Sequence, residues 1–471
     1  VGLTLETYTA AVGVALAGIA AGSALGGWSA DTWDPRRWLG PMLLIAGAAL
    51  TLTRPVVILL GPPLRSGGPA ATVLLVTLSA GPPALLLSTV PPAVVRLRLR
   101  RLSHTGRVVG RLSATSTVGA LFGSAITGFG LLAVFSTSTI LLGAAGLVSV
   151  AGLLTTLVVG RSTGGGRRGS PVAALVGMVV ASATLVAATL AGAGPCDSET
   201  RYYCVRIEED RARPGGRLLL LDDLRHAYVD LDDPGHLEFG YARRVGSVLD
   251  AIAPTGRSLQ ALHIGGGGFT IPRYLAATRP GSTSTVLEID PDVVELARAR
   301  LGLAGVPGLR VKVGDARRNL ADEKTAGYEV VVGDAFGTLS VPWHLATRQL
   351  AEEVSRVLRP GGIYVLNLID QPPLRFLAAE LATLRAVFPE VAVLAPGLQL
   401  GGGVGGNFVL VASDRRLPLP ELRAAAALGG EPGGVGDSAV VDALSRRAKV
   451  LTDDRAPVDQ LITPRAPNSG R

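Results

Sequence analysis

Apolar residues are concentrated in the first 195 positions, where long hydrophobic stretches alternate with short polar connections. Six of these stretches are long enough for an α-helix to cross the roughly 30 Å of hydrocarbon in a bilayer. They lie at residues 3–26, 38–60, 70–95, 112–135, 138–160 and 171–194. The pattern predicts that residues 1–195 form a polytopic α-helical bundle in the cell membrane, with the lipid bilayer as its partner.

Charged residues divide the chain at the same place. Residues 1–195 contain 13 Arg, no Lys and three acidic residues, whereas the rest contains 32 basic and 34 acidic residues. The first, third and fifth connections between spans hold 11 Arg, and the second and fourth together hold one, Arg65. Because Arg-rich short loops stay in the cytoplasm, this count places everything after the sixth span on the outer face. Basic residues confined to such loops form no footprint for nucleic acid, and we expect no nucleic-acid partner.

The two cysteines of the chain, Cys196 and Cys204, lie just past the last apolar stretch. Their spacing allows a small disulfide loop in an oxidising compartment, and two reduced thiols are the alternative. Two cysteines do not supply a four-ligand metal spacing, so the sequence predicts no metal site.

Shorter apolar runs follow the cysteines. Between residues 202 and 232, apolar and polar residues alternate on either side of a turn at 213–216, which predicts a small antiparallel β domain over residues 196–236. Apolar residues at helical spacing follow, and we predict that they begin a larger domain over residues 237–415. Residues 416–471 are predicted as a helical or irregular tail.

The larger domain repeats strand, turn and helix. An apolar run at 258–264 leads into a glycine-rich turn and then into helical spacing, and later apolar runs end in acidic residues. This alternation predicts a doubly wound α/β sheet, in which ligands bind at the carboxyl ends of the strands. The residues expected to meet there are Gly265, Gly266, Gly267, Glu288, Asp315 and Asp334.

These residue types suit a nucleoside. Glycines allow the backbone to turn tightly and to approach a ligand. Glu288 follows Gly265 by 23 residues, a spacing at which a carboxylate accepts hydrogen bonds from ribose hydroxyls. Asp315 ends the third strand and suits an exocyclic adenine amine. We therefore predict a nucleoside site; the alternative for each acid taken alone is a solvated cap at a strand end.

At these positions the sequence resembles the spermidine synthase family, the polyamine aminopropyltransferases, over about residues 202–413. It is most similar to the membrane-fused branch of that family, whose closing segment resembles residues 451–460. The resemblance implies a class I S-adenosylmethionine-dependent methyltransferase fold preceded by a β-hairpin domain, and a homodimer. It also implies decarboxylated S-adenosylmethionine as the aminopropyl donor and an amine such as putrescine as the acceptor.

The resemblance assigns roles to individual residues. Glu288 would hold the ribose, Asp315 the adenine, and the turn at 265–267 would bring the backbone to the donor. Tyr241 would line the amine pocket, and His226 stands where the family has a glutamine.

Asp334 is the expected catalytic residue. An alkyl amine is protonated at neutral pH, so a carboxylate at roughly 3 Å must orient it and accept its proton before it attacks a sulfonium. The alternatives are that Asp334 caps a strand end and that His344 is the base.

Besides His226, three further positions depart from the family pattern. Gly268 replaces an acid that grips the amino end of the donor, Gly337 replaces the second acid of an Asp-x-x-Asp motif, and Arg243 replaces a Glu. The sequence therefore predicts a membrane-anchored aminopropyltransferase that retains nucleoside recognition and has weaker diamine recognition. The alternatives are a methyltransferase that uses intact S-adenosylmethionine, and a non-catalytic nucleoside-binding, polyamine-binding or transport protein.

Overall fold

The computed structural model describes residues 5–64, 68–99, 105–160, 177, 196–222, 224–337, 341–428 and 433–462. The chain separates into two compact units, Val1–Pro195 and Cys196–Arg471.

The described part of the first unit is helical. Five helical segments are long and apolar enough to cross a membrane. The helices are α1 (Leu5–Thr32), α2 (Pro35–Leu64), α3 (Gly68–Ser88), α4 (Val90–Arg98), α5 (Thr105–Phe129) and α6 (Thr137–Gly160). The sixth predicted span, residues 171–194, lies outside the described residues.

Two predicted spans differ from the helices. The third is divided into α3 and α4 at Thr89, because Pro91 and Pro92 lack the amide hydrogens of a continuous helix and instead lie in the first turn of α4. The fourth was predicted over residues 112–135, but α5 begins earlier and ends at Phe129, before a short 3₁₀ turn.

Glycine allows close packing between α1 and α3. A Cβ atom placed on Gly22 would overlap the carbonyl oxygen of Leu85, and one on Gly18 would lie 2.9 Å from the Cβ of Ala84. Such backbone contact is the usual means by which apolar helices associate.

The second unit begins with a four-stranded antiparallel sheet in the order β1-β2-β3-β4. Its strands are β1 (Ser198–Glu199), β2 (Cys204–Glu209), β3 (Gly216–Leu221) and β4 (Leu224–Asp230). Val205, Leu219 and Leu221 are buried together with Phe269 of the larger sheet domain. The small sheet therefore packs on the larger sheet domain, and both belong to one compact unit.

The larger sheet has eight strands in the order β12-β10-β11-β9-β8-β5-β6-β7. They are β5 (Gln260–Ile264), β6 (Thr283–Glu288), β7 (Leu309–Val313), β8 (Tyr328–Gly333), β9 (Leu358–Asp370), β10 (Glu390–Pro396), β11 (Gly406–Ser413) and β12 (Gly433–Gly436). Strands β5 to β9 pair in parallel, whereas β10, β11 and β12 pair antiparallel. The predicted doubly wound α/β class is confirmed.

Helices cover both faces of this sheet, and two separate sets of buried apolar side chains lie between helices and strands. The helices are α7 (Gly240–Ile252), α8 (Thr270–Thr278), α9 (Pro291–Arg300), α10 (Ala316–Ala321), α11 (Arg348–Val357), α12 (Arg375–Arg385), α13 (Gly397–Leu400), α14 (Leu419–Leu428), α15 (Ser438–Ser445) and α16 (Val458–Leu461).

Residues 416–471 add a strand to the larger sheet and side chains to its core, beyond the helical or irregular tail that the sequence predicts. Strand β12 pairs with β10 and extends the sheet, with Gly436 opposite Val393. Leu451 and Val458 are buried in the sheet core, and the Leu451 amide donates to Thr383 Oγ1 at 2.9 Å. The sequence pattern missed β12 because a glycine-rich strand has no apolar alternation.

Candidate functional site

A pocket lies where the strand order reverses, at the carboxyl ends of β5 and β8. This is the position at which open α/β sheets bind ligands. Six of the predicted site residues line the pocket: His226, Tyr241, Gly265, Gly266, Gly267 and Asp334. Glu288 and Asp315 are outside its lining.

The glycine turn is in direct backbone contact with the strand that carries Asp334. Gly265 has a φ of +95°, and a Cβ atom there would lie 2.5 Å from the carbonyl oxygen of Asp334. The amide of Asp334 donates to the carbonyl oxygen of Ile264 at 2.8 Å. Glycine is therefore required at position 265 for both conformation and space.

Glu288 lies behind the turn and holds its backbone. One carboxylate oxygen accepts from the amides of Gly266 and Gly267 at 2.7 and 3.2 Å, and the other accepts from the amide of Asp290 at 2.9 Å. Burial raises the pKa of Glu288, and these hydrogen bonds act in the opposite direction. The carboxylate thus shapes the glycine turn, and its predicted contact with a ribose stays a prediction.

Asp334 lies beyond the end of β8 and is half-buried. Its Oδ1 accepts from Asn367 Nδ2 at 2.8 Å, and its side chain is also hydrogen-bonded to Tyr241. Burial raises the pKa of Asp334 to about 6, against the lowering effect of these two bonds. Burial and the neighbouring Asp334 raise the pKa of the Tyr241 phenol well above its usual value. A carboxyl group with this pKa is suited to accept a proton near neutral pH.

His226 is on β4 and faces the glycine turn. A Cβ atom on Gly267 would lie 3.2 Å from its Cδ2, and its ring packs edge-on to Phe336 with 6.5 Å between centroids. Burial lowers the pKa of His226 to about 4, so the imidazole is neutral at pH 7. A neutral imidazole can donate or accept one hydrogen bond in the pocket.

Asp315 follows β7 on the same edge of the sheet but contacts other groups. Its Oδ1 accepts from the Arg318 amide at 3.0 Å and caps α10, and its Oδ2 lies 3.2 Å from His344 Nε2. Trp343, next to His344, is 51% exposed. The geometry of Asp315 is that of a helix cap with one oxygen directed at a histidine, and the predicted adenine contact stays a prediction.

Of Gly268, Gly337 and Arg243, only Gly268 lines the described pocket. A Cβ atom on Gly268 would lie 2.7 Å from the Cβ of Ala227. Gly337 is exposed. Arg243 donates to the carbonyl oxygens of Leu237 and Glu238, at 3.3 and 2.5 Å, and is not among the residues that line the described pocket.

Cys196 and Cys204 form a disulfide, which closes a loop next to the pocket. Within that loop, the Thr200 hydroxyl donates to Asp290 Oδ2 at 2.5 Å, and the Tyr203 hydroxyl donates to the carbonyl oxygen of Phe336 at 2.9 Å. The loop therefore contacts the segments that follow both Glu288 and Asp334.

Sequence reasoning missed Asn367 and Asn407. Asn367 is 2% exposed on β9, between two leucines, and its Oδ1 accepts from Asn407 Nδ2 of β11 at 3.1 Å. The signal in the sequence was an asparagine within an apolar strand, because a buried amide requires a polar partner.

Comparison with known proteins agrees with this architecture. The profile of a methyltransferase-domain family matches residues 262–366. A polyamine aminopropyltransferase of Vibrio vulnificus is 35% identical over 131 residues, which cover 27% of this chain and 43% of that protein. A human eEF1A lysine and N-terminal methyltransferase is 27% identical over 176 residues, covering 35% of this chain and 24% of that protein. The chain thus spans less than half the length of these two relatives.

A solved structure is similar over a longer part of the chain. A probable spermidine synthase from Corynebacterium glutamicum has a TM-score of 0.51 and 29% sequence identity, and the match covers 54% of this chain and 95% of that chain. Together with the strand order and the position of the pocket, these similarities assign the second unit a spermidine synthase-like class I methyltransferase fold.

Proposed function

We propose that the protein is a membrane-anchored aminopropyltransferase, which transfers the aminopropyl group of decarboxylated S-adenosylmethionine to an amine. The glycine turn at 265–267 and Glu288 would hold the nucleoside, and Asp334 would receive the acceptor amine with Tyr241 beside it. The single observation that carries this proposal is the hydrogen-bonded carboxylate of Asp334, whose pKa is about 6 and whose backbone contacts the glycine turn.

The reaction requires little more than a positioned base. The proton of the acceptor amine passes to Asp334, and the amine nitrogen attacks the propyl carbon bonded to the sulfonium sulfur. A C–N bond forms and the C–S bond breaks, with its electron pair remaining on sulfur. The sulfur leaves as the neutral thioether methylthioadenosine, so no further acid is needed.

Methyl transfer from intact S-adenosylmethionine is the second candidate. It is favoured by Gly268, which lines the pocket where the family has an acid. Such an acid would bind the amino end of the decarboxylated donor and repel the carboxylate of intact S-adenosylmethionine, and Gly268 does neither. The match of residues 262–366 to a methyltransferase domain is consistent with either donor.

We propose that α1 to α6 and residues 171–194 anchor this unit in the cell membrane. The support is the length and apolar composition of five helical segments, with mean hydropathies between 1.2 and 2.1. The residues named in the proposed chemistry all belong to the second unit.

Turnover by the purified full chain in detergent tests the function. Decarboxylated and intact S-adenosylmethionine are each incubated with a panel of amines, and methylthioadenosine and S-adenosylhomocysteine are quantified. We expect amine-dependent release of methylthioadenosine, reduced at least about 100-fold in Asp334→Asn. Release of S-adenosylhomocysteine alone would replace the first candidate with the second. Nucleoside binding without either product would indicate a binding protein.

A further inference from the structure

A short chain of side-chain amides lies directly behind Asp334. Asn407 Nδ2 donates to Asn367 Oδ1 at 3.1 Å, and Asn367 Nδ2 donates to Asp334 Oδ1 at 2.8 Å. The three residues come from three different segments, β11, β9 and the end of β8. Neighbouring strands of the sheet therefore converge on one oxygen of one carboxylate.

The register of β9 and β11 fixes this arrangement. Val409 is opposite Asn367, and Asn407 is opposite Ile369, so the two amides are diagonal neighbours on one face. On the same face, the neighbouring positions along the two strands include Val365 and Val409, which are buried. Asn367 is itself buried, and a buried amide is stable only when its polar atoms are hydrogen-bonded.

The bond from Asn407 determines which end of Asn367 faces Asp334. If the Asn367 amide were turned over, its NH₂ group would face the NH₂ of Asn407 and its oxygen would face the Asp334 carboxylate. Both contacts would be repulsive. Asn407 thus keeps the NH₂ group of Asn367 directed at Asp334.

We propose that Asn367, oriented by Asn407, is a positioning residue that fixes the carboxylate of Asp334 for proton transfer from the acceptor. The inference rests on the proposed function, since it concerns the same carboxylate. Hydrogen bonds from Asn367 and Tyr241 restrict rotation of the Asp334 carboxylate, and its remaining acceptor sites face the ligand. Positioning of this kind is a large part of the effect of a general base.

Two substitutions test the proposal against a purely structural role. Asn367→Leu keeps the side chain branched at Cγ and removes the donor. Asn407→Asp removes the donor to Asn367 Oδ1 and places an acceptor there. This favours the orientation of Asn367 in which its NH₂ group points away from Asp334. The matched control is Ser413→Ala, because the buried Ser413 hydroxyl joins the same two strands at the opposite end of the ladder, donating to the carbonyl oxygen of Gly362 at 2.9 Å.

The readout is the pH profile of methylthioadenosine release by the full chain. Loss of a donor to a carboxylate disfavours its ionised form, so we expect the acidic limb to move up by about one pH unit in both asparagine variants. We also expect the rate on the high-pH plateau to fall about 10-fold, because orientation is not restored by deprotonation. Ser413→Ala should lower thermal stability and leave both features unchanged. Asparagine variants that behave like Ser413→Ala would overturn the proposal.

A second readout separates this inference from the proposed function. Difference infrared spectroscopy, with Asp334→Asn used to assign the band, follows protonation of the carboxyl group without turnover. If the wild type releases no product, an upward shift of the Asp334 titration in Asn367→Leu would still support the amide chain. An unchanged titration would reject it.

Discussion

The raised pKa of Asp334 predicts a defined pH dependence for the proposed activity. The pKa is raised to about 6 by burial, and only the ionised form of Asp334 accepts a proton. The rate should therefore rise about 10-fold for each pH unit below 6 and level off above about pH 7. The measurement is kcat/KM for the amine between pH 4.5 and 9. A rate that rises through pH 8 or higher would instead report the amine or another base.

Glu380 predicts a second pH effect, on stability. It is 3% exposed on α12, its Oε2 makes no hydrogen bond within the described structure, and burial raises its pKa to about 8. The folded state binds the Glu380 proton more tightly than the unfolded state does. The contribution of Glu380 to the free energy of unfolding is therefore greatest at low pH and falls as pH rises from about 4.5 to about 8.

Glu380→Met should therefore stabilise the second unit at pH 8 by at least about 1 kcal/mol and have a smaller effect at pH 5. Thermal midpoints in detergent at both pH values test this. Glu421→Met, on the exposed side of α14, is the control. Equal effects of the two substitutions at pH 8 would show that Glu380 is not a buried acid in the folded protein.

At the scale of elements, the disulfide loop joins β1 to β2 and supports the pocket. The Thr200 hydroxyl is hydrogen-bonded to Asp290, which lies two residues after Glu288. The Tyr203 hydroxyl is hydrogen-bonded to Phe336, which lies two residues after Asp334. Reduction of Cys196–Cys204 frees the loop, so we expect the affinity for methylthioadenosine to fall about 5- to 10-fold. Calorimetric titration with and without reductant measures the change.

The control is Cys196→Ser combined with Cys204→Ser, which should bind as the reduced wild type does and ignore reductant. The loop also has internal bonds, among them the Thr200 amide to the Tyr203 carbonyl oxygen at 2.9 Å. Undiminished affinity on reduction would mean that these bonds alone maintain the loop.

Elements with strong periodicity were predictable, and contacts between elements were not. The strands ending near Glu288 and Asp334 follow from apolar runs bounded by acids, and their convergence follows from parallel pairing. Asn367 was not predictable, since its function depends on which strand lies beside β8. The contact of Asp315 with His344 likewise depends on a loop whose path is not encoded in a local pattern. Strand β12 was not predicted because its glycines show no alternation of apolar and polar residues.

For the whole molecule, the arginine count still predicts that the second unit is on the outer face, although sulfonium donors are cytoplasmic. Impermeant maleimide labelling of single cysteines, in a background without Cys196 and Cys204, decides the orientation. We expect Arg447→Cys to be labelled in intact cells, and Ser162→Cys, in the fifth connection, only after lysis. The reverse pattern would place the unit beside its proposed donor and show that loop charge does not set this topology.

Residues after α14 contribute to both edges of the larger sheet, since Asp453 contacts α10 beside Asp315 at the β7 edge and β12 forms the opposite edge. Arg317, in the first turn of α10, is held by both oxygens of Asp453 at 2.7 and 2.5 Å, while β12 pairs with β10. A nascent chain synthesised only as far as α14 already contains the glycine turn, Glu288 and Asp334, yet it lacks the partner of Arg317. The contact between Arg317 and Asp453 should therefore form only once Asp453 has been synthesised, long after the helices of the first unit have left the ribosome.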